Sequence, residues 1–325
     1  MIANEVNRRT TRVPKLPFQV PIGVQPGGRP AAAIELSPEG VLAAATPAPG
    51  QPPVYAFEPL PVDALKPGLT EANVANSAAL TAAIRAALGQ VNPRVKAVTV
   101  VLPDPSVRVF VLDFDTFPTR LDEALPVLRF RLRKAVPFDV ELSSVSFQIL
   151  SEGSARLETQ WKILAAIVPG PVLAEYEAAV RAAGYEPGVV LPASLAALCA
   201  LESQEAVLAV NLGSQTLTTS IVAGSDVLLH RTIELPPTRE AFAADVQRTI
   251  AVAAAFYEDK LHVQPRTLKY SGVLPAPEFA EIVNIDSGEP LLQVDELVPH
   301  PQTGMVSALR NSSVAGVTGV LAGTK

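Results

Sequence analysis

A duplicated pattern of short strands and tight turns constrains the fold of this chain more than any other feature. Near the middle, residues 207–210, 216–222 and 227–235 are apolar or β-branched runs separated by turns, which is typical of three β-strands. Residues 22–29 align without a gap on residues 208–215, an interval of 186 residues (211 − 25). Two copies about one domain apart predict two α/β lobes of related topology, with both turns facing a shared cleft.

The turn in the second copy is a candidate anion site. It contains Gly213, Ser214 and Gln215, in which the glycine can take a positive φ and several backbone N–H groups have no obvious partner. Such a turn can hold an anion, and it can equally well only reverse the chain direction.

Composition limits the classes of function. The formal net charge of −6 argues against general nucleic-acid binding. The single cysteine, Cys199, excludes an intramolecular disulfide and fits a reducing compartment. No apolar run reaches the ~18 residues of a transmembrane helix, and prolines interrupt the first apolar stretch, where a secretory signal would lie. We therefore expect a cytoplasmic location.

No catalytic or metal-binding motif is visible. The histidines His230, His262 and His300 lack the spacing of metal ligands. The chain has neither a Gly-x-Ser-x-Gly motif nor a Walker A loop. We predict no catalytic residues and no metal site.

Helical periodicity predicts helices over residues 77–88, 119–136, 171–183, 193–201 and 239–261. The second of these has leucines at 121, 125, 128 and 132 on one face and ends in a basic cluster that suits the helix dipole. Such a basic surface is either a solvated face or part of a groove that receives a peptide or an acidic partner.

Four stretches, residues 101–114, 128–139, 178–187 and 246–257, together resemble the PilM family of actin-like proteins in type IV pilus assembly. Their specificity lies in their order and spacing, and the similarity runs from about residue 21 to the C-terminus. The resemblance implies an α/β, actin-like (ribonuclease H-like) fold of two lobes. It further implies ATP between the lobes and a surface groove for the N-terminal peptide of the inner-membrane protein PilN. The division protein FtsA and the cytoplasmic part of the type II secretion protein GspL share this architecture.

The resemblance also implies a domain organisation. We expect a flexible tail over residues 1–20, a first lobe over residues 21–200 with an inserted subdomain near residues 103–157, and a second lobe over residues 201–325. Since the family places its partner groove in the inserted subdomain, we assign that groove to Phe110, Arg129, Phe130 and Arg133.

The nucleotide cleft departs from the family pattern. In the actin-like superfamily both turns carry an Asp that organises Mg²⁺ on the phosphates. The aligned positions here are Gln25 and Asn211, whose neutral amides attract a divalent cation far less. Two interpretations remain: no bound nucleotide in a vestigial cleft, or weakly bound ATP and Mg²⁺ with little hydrolysis. The candidate nucleotide-binding residues are Gly27, Gly28, Arg29, Gly213, Ser214, Gln215 and Gly272.

We therefore predict a non-enzymatic cytoplasmic scaffold, peripheral at the inner membrane, that binds the N-terminal peptide of a PilN-like membrane protein. It would reach the membrane only through that partner and bind no nucleic acid; contacts with the pilus motor and self-association stay open. The alternatives are an active actin-like ATPase or sugar-kinase-like enzyme, which needs an acidic residue near the γ-phosphate, and a GspL-like component of type II secretion. The oligomeric state and the peptide motif are not defined by the sequence.

Overall fold

The computed structural model describes residues 29–48, 50–151, 160–203, 205–224, 226–284, 292–299 and 313–322. The predicted N-terminal tail and the turn containing Gly27 and Gly28 lie outside the described residues.

The described chain alternates strands and helices, as the sequence periodicity predicts. The strands are β1 (Ala32–Leu36), β2 (Gly40–Ala45), β3 (Val54–Pro59), β4 (Ala97–Leu102), β5 (Arg108–Phe114), β6 (Ser143–Ser151), β7 (Trp161–Pro169), β8 (Glu186–Pro192), β9 (Ala206–Leu212), β10 (Thr216–Ala223), β11 (Asp226–Glu234), β12 (Thr267–Gly272) and β13 (Gln293–Glu296). The helices are α1 (Ser77–Val91), α2 (Leu121–Leu132), α3 (Gly170–Ala182), α4 (Ala193–Leu198), α5 (Arg239–Leu261), α6 (Ala276–Asn284) and α7 (Ala315–Ala322).

Two five-stranded sheets with the same strand order form the two lobes. The first sheet has the order β3-β2-β1-β4-β8 and the second has the order β11-β10-β9-β12-β13. In each sheet the central strand is antiparallel to the strand that follows it and parallel to a later one: β1 with β2 and β4, and β9 with β10 and β12. The predicted two-lobed α/β architecture is therefore confirmed.

The interval of the duplication predicted from the sequence is wrong by one strand. Since β1 occupies the place of β9, Leu36 matches Leu212 and Glu35 matches Asn211, an interval of 176 residues (211 − 35). The sequence alignment followed glycines, but the observed turn between β1 and β2, residues 37–39, contains none. Hydrogen bonds between the Ser37 and Gly40 backbones close this turn instead.

Each sheet is covered by helices that bury its apolar residues. In the first lobe, α1 and α3 cover one face with residues such as Leu80, Ile84 and Tyr176, and α4 and α7 cover the other. In the second lobe, α5 and α6 pack on the sheet around the fully buried Phe279. Apolar side chains of α4, including Leu195, also contact β9 and β10 of the other lobe. Helix α4 therefore lies at the junction of the lobes.

A third, antiparallel sheet of order β5-β7-β6 forms the inserted subdomain of the first lobe. Its α2-facing side packs Ile163 and Ala165 of β7 against Ala124 and Leu128 of α2. Leu121, which the periodicity places on the apolar face of this helix, is 44% exposed. The predicted limits of the lobes and of the insertion stay predictions, although β7 of this sheet lies beyond residue 157.

Candidate functional site

The turns that follow β1 and β9 face each other across a cleft between the lobes. The cleft measures about 730 Å³, counting the solvent at its mouth, and its wall includes four of the residues predicted to bind nucleotide: Gly213, Ser214, Gln215 and Gly272. The fifth described candidate, Arg29, precedes β1 and interacts with Cys199 at the end of α4, away from this wall. Burial raises the pKa of the Cys199 thiol, and the Arg29 guanidinium partly offsets that effect.

The buried carboxylate of Asp104 joins the two lobes at the base of this cleft. Its Oδ1 accepts hydrogen bonds from the backbone N–H (3.1 Å) and the hydroxyl (2.8 Å) of Ser194 in the first lobe. Its Oδ2 accepts from Asn211 Nδ2 (3.1 Å) and Thr218 Oγ1 (3.3 Å) of the second lobe. Burial raises the pKa of Asp104, and these hydrogen bonds act in the opposite direction. Four donors therefore already occupy this carboxylate.

The network continues from Asp104 to a buried histidine. Ser194 Oγ lies 3.4 Å from His230 Nε2, and His230 Nδ1 lies 2.9 Å from Ser220 Oγ. Burial lowers the pKa of His230 to about 4, so its imidazole is neutral at neutral pH. Since Ser194 donates its hydroxyl proton to Asp104, Nε2 carries the imidazole proton and Nδ1 accepts from Ser220. His230 Nδ1 is a base beside the Ser220 hydroxyl, but Ser220 is 2% exposed and His230 7%, so a substrate has no access to that hydroxyl and we assign the network a structural role.

Glu35 is the second unusual carboxyl group of the cleft. Burial, followed by the charges of Asp104 and Glu39, raises its pKa from 4.5 to about 8. Its Oε2 is shielded from solvent and has no hydrogen-bond partner among the described residues. Helix α7 approaches this group so closely that a Cβ on Gly316 would lie 2.3 Å from Glu35 Oε2. Glu35 is therefore mostly protonated at neutral pH and packed against a helix.

The two turns offer few N–H groups to a phosphate. In the first turn, Ser37 and Gly40 donate to each other's carbonyls and Pro38 has no N–H, which leaves the N–H of Glu39 beside its own carboxylate. In the second turn, the Gly213 N–H donates to the Thr216 carbonyl at 2.8 Å. This leaves the N–H groups of the two intervening residues, 214 and 215, to contact an anion.

These donor sets do not fit a magnesium–triphosphate complex. A Mg²⁺ site needs carboxylate oxygens that remain available to the cation or to its waters. Asp104 is occupied by four donors, Glu35 is packed against α7, and Asn211 is an amide that donates to Asp104. The charge of Glu39 would also repel phosphate at close range. The hydrogen bonds of Asp104 connect the lobes at the base of this cleft.

A second cavity, here called the apolar groove, lies between the third sheet and the first lobe. It measures about 660 Å³, again counting the solvent at its mouth. Leu164 and Ala166 of β7 form its floor, and Val190 of β8, Leu173 of α3 and Leu195 of α4 form its walls. Its polar lining residues are confined to β6: Ser144, Ser146 and Gln148.

The residues predicted to form the partner groove lie on the other face of the third sheet. Phe110 packs with the core beneath α2, and Phe130 of α2 is 66% exposed. Arg129 donates to the carbonyls of Val140 and Ser143, and Arg133 forms an ion pair with Glu141 at 2.7 Å. None of these four lines the apolar groove. Their contact with a partner stays an untested prediction, and the apolar groove is a competing location for that partner.

Sequence reasoning missed the two carboxyl groups that dominate the cleft. Glu35 is a lone charge in the apolar run of β1, and Asp104 stands between Pro103 and Pro105. Both signals are local and weak. The buried position of Asp104 follows from contacts with residues as distant as Thr218, 114 positions later in the chain.

Comparisons with solved structures identify the fold. The PilM–PilN type IV pilus biogenesis complex matches with a TM-score of 0.64 and 18% identity, covering 92% of this chain and 100% of that chain. A Bacteroides thetaiotaomicron protein of actin-like ATPase fold and unknown function matches with a TM-score of 0.52 and 12% identity, covering 90% and 95%. The cytoplasmic domain of EpsL, from the Vibrio cholerae type II secretion system, gives a TM-score of 0.47 and 14% identity, covering 86% and 92%. The first two similarities show that the chain has the actin-like fold.

No family model matches the sequence, and the search of curated proteins found no relative. Within the described residues, no helix is both long enough and apolar enough to cross a membrane.

Proposed function

We propose that this chain is a cytoplasmic scaffold of a type IV pilus assembly platform, held at the inner membrane by the N-terminal peptide of a PilN-like protein. The fold is similar to that of PilM in its complex with PilN. The observation that carries the proposal is the apolar groove, a concave surface with walls from β7, β8, α3 and α4.

The groove suits a short peptide with apolar side chains. Burying one valine- or leucine-sized side chain contributes about 1.5–3 kcal/mol, so two or three such residues would offset the loss of translational freedom on binding. In this proposal the chain has no membrane segment of its own in contact with the bilayer, and the partner alone provides the anchor. A GspL-like secretion component is the alternative platform, and the identity of the inner-membrane protein that binds would separate the two.

We also propose that the interlobe cleft is a joint with no bound nucleotide or with ATP bound only weakly. The support is the donor set described above, in which Asp104 is fully occupied and Glu35 is neutral. The alternative, a working ATP site, is favoured by Glu35, an acidic residue of the cleft wall at the position that matches Asn211, and by Ser214 and Gln215 in the same wall.

The peptide proposal is tested by fluorescence anisotropy with the labelled N-terminal peptide of the PilN-like protein encoded in the same genome. Ser146→Trp places a large side chain in the groove from β6, next to Ala166 of β7, and should abolish binding. Phe130→Ala and Arg133→Glu change exposed side chains on the far face of the sheet and serve as matched controls, with wild-type affinity expected. Melting curves confirm that each variant is folded. Loss of binding in the controls, with normal binding by Ser146→Trp, would move the interface to α2.

The cleft proposal is tested by calorimetry with Mg-ATP. We expect no measurable heat of binding at micromolar concentrations for the wild-type chain or for Gly213→Trp. Micromolar binding that Gly213→Trp abolishes would establish a working nucleotide site and contradict the proposal.

A further inference from the structure

The apolar groove shares two of its lining residues with the contact between the lobes. Leu164 of β7 and Leu195 of α4 line the groove, and each is only 3% exposed. Both leucines also belong to a buried cluster whose second-lobe members are Ala209 of β9, Val222 of β10 and Val227 of β11. Part of the groove wall and the apolar contact between the lobes are therefore one packed cluster.

The hydrogen bonds of Asp104 hold two further parts of the groove wall. Residues 102–107 contribute lining residues on both sides of Asp104 in the chain, and residues 191–195 do the same around Ser194. The two hydrogen bonds from Ser194 to Asp104 Oδ1, at 3.1 and 2.8 Å, connect these segments to each other. The other oxygen of Asp104 accepts from two side chains of the second lobe. A second, polar connection therefore joins the groove wall to the second lobe.

These contacts make the shape of the groove depend on the position of the second lobe. If the lobes separate locally, the two leucines lose part of their packing and the Asp104 carboxylate loses two of its four donors. The wall segments are then less restrained, and a ligand must order them as it binds, which weakens binding. A ligand that binds one of two arrangements more tightly shifts the equilibrium toward that arrangement, and the effect is reciprocal.

We propose that occupation of the groove is coupled to the junction of the lobes: the peptide binds the joined arrangement and does not bind a chain whose lobes have separated locally. This inference rests on the proposed function, and it adds that the partner controls the second lobe from a site in the first. The ligand is the same short apolar peptide, and the residues that carry the coupling are Leu164, Leu195 and Asp104. The second lobe is therefore fixed in the peptide-bound chain, whereas the free chain opens transiently at the junction.

The test places a thiol in the interlobe cluster and measures its reaction with a soluble disulfide reagent. Val222→Cys in a Cys199→Ala chain carries a single thiol, at a second-lobe position that is 4% exposed and outside the groove lining. This thiol should react only when the junction opens. With the partner peptide at ten times its dissociation constant, we expect the reaction to slow about tenfold, because only the unbound chain opens. Val227→Cys, in the same cluster, replaces this variant if it does not fold.

Two further chains identify the opening that the thiol reports. Thr218→Val removes a second-lobe donor from Asp104 and should speed the reaction of the Val222→Cys thiol about tenfold. Val246→Cys, again with Cys199→Ala, places the thiol in the core of the second lobe under α5. It should react far more slowly than Val222→Cys, because only unfolding of that lobe exposes it. Equal rates for the two thiols, or no effect of Thr218→Val, would mean that the lobes do not open at this junction and would contradict the inference.

The outcomes separate this inference from the proposed function. If Ser146→Trp abolishes peptide binding while the Val222→Cys thiol reacts equally fast with and without peptide, the groove and the junction are independent, and this inference alone is overturned. If Ser146→Trp binds the peptide like wild type, the groove is not the peptide site, and both the proposed function and this inference are overturned.

Discussion

The two lobes have the same strand order but different chemistry at the turn that follows the central strand. In the second lobe, Asn211 precedes the Gly213–Ser214–Gln215 turn. In the first lobe, Glu35 precedes a turn with Pro38 at its centre. Both Glu35 and Asn211 lie at the cleft, but Asn211 donates to Asp104 across the lobes, whereas the shielded oxygen of Glu35 has no partner among the described residues.

This difference shows which parts of a duplicated fold are constrained by packing. The strand order follows from apolar cores that both copies must fill, and both fill them with helices in the same places. The turn residues contribute little to those cores, so packing leaves them freer to differ. Asp104 connects the lobes through Ser194 on one side and Asn211 and Thr218 on the other.

The largest expected effect comes from giving the second lobe a carboxylate at the turn. Asn211 Nδ2 donates to Asp104 Oδ2 at 3.1 Å. Asn211→Asp replaces this hydrogen bond with two carboxylates that face each other at the same place. We expect the free energy of unfolding at pH 8 to fall by about 3–5 kcal/mol, and the loss to shrink at lower pH as one proton enters the pair. Urea denaturation measures both.

The matched control exchanges the two groups. In Asp104→Asn/Asn211→Asp one amide and one carboxylate face each other again, so most of the lost stability should return. If the single variant Asn211→Asp is as stable as wild type, or if Mg²⁺ stabilises it strongly, the cleft can hold two carboxylates, as a cation site would require.

The second prediction concerns Glu35 and the pH dependence of stability. Its pKa is about 8 in the folded chain against 4.5 ordinarily, so between these values the folded state holds a proton that the unfolded state has lost. The stability from this group is complete below pH 4.5 and is lost as pH rises through about 8, at up to about 1.4 kcal/mol per pH unit. Glu35→Gln should remove this fall and be more stable than wild type above pH 8, by about 2–4 kcal/mol.

Glu39→Gln is the control for this experiment, because Glu39 is an exposed carboxyl group of the same turn. The stability of Glu39→Gln should fall with rising pH almost as much as that of wild type. Parallel pH profiles for wild type and Glu35→Gln between about pH 5 and about pH 8 would mean that Glu35 titrates normally in the folded chain and that the cleft is wetter than its packing against α7 implies.

Sequence periodicity was sufficient for most elements but not for the site. Helix α5 has the predicted bounds, residues 239–261, and β9 to β11 differ by only one or two residues, because their patterns are long and strong. The duplication was matched one strand too early, because Gly27 and Gly28 indicated a turn and Ser37 to Glu39 did not.

The missed features depend on contacts that no local pattern contains. Asp104 contacts Asn211, 107 residues later in the chain. Which face of β6 borders a groove depends on α2 covering the other face. The basic end of α2 indicated a partner surface from charge alone, whereas Arg129 bonds to nearby backbone carbonyls.

The smallest expected effect compares the first residues of β2 and β10. Gly40 in the first lobe matches Thr216 in the second, yet a Cβ at Gly40 would lie 2.4 Å from the Glu58 carbonyl oxygen and 2.6 Å from the Phe57 ring. We expect Gly40→Ala to lower the free energy of unfolding by about 2 kcal/mol, because strand β3 must move. Gly89→Ala in α1, where a Cβ meets open space, should raise it by about 0.5–1 kcal/mol because alanine favours helix. If Gly40→Ala is as stable as wild type, β3 can move to accept a Cβ at no cost in stability. The first residues of β2 and β10 would then tolerate the same side chains, and this difference between the lobes would disappear.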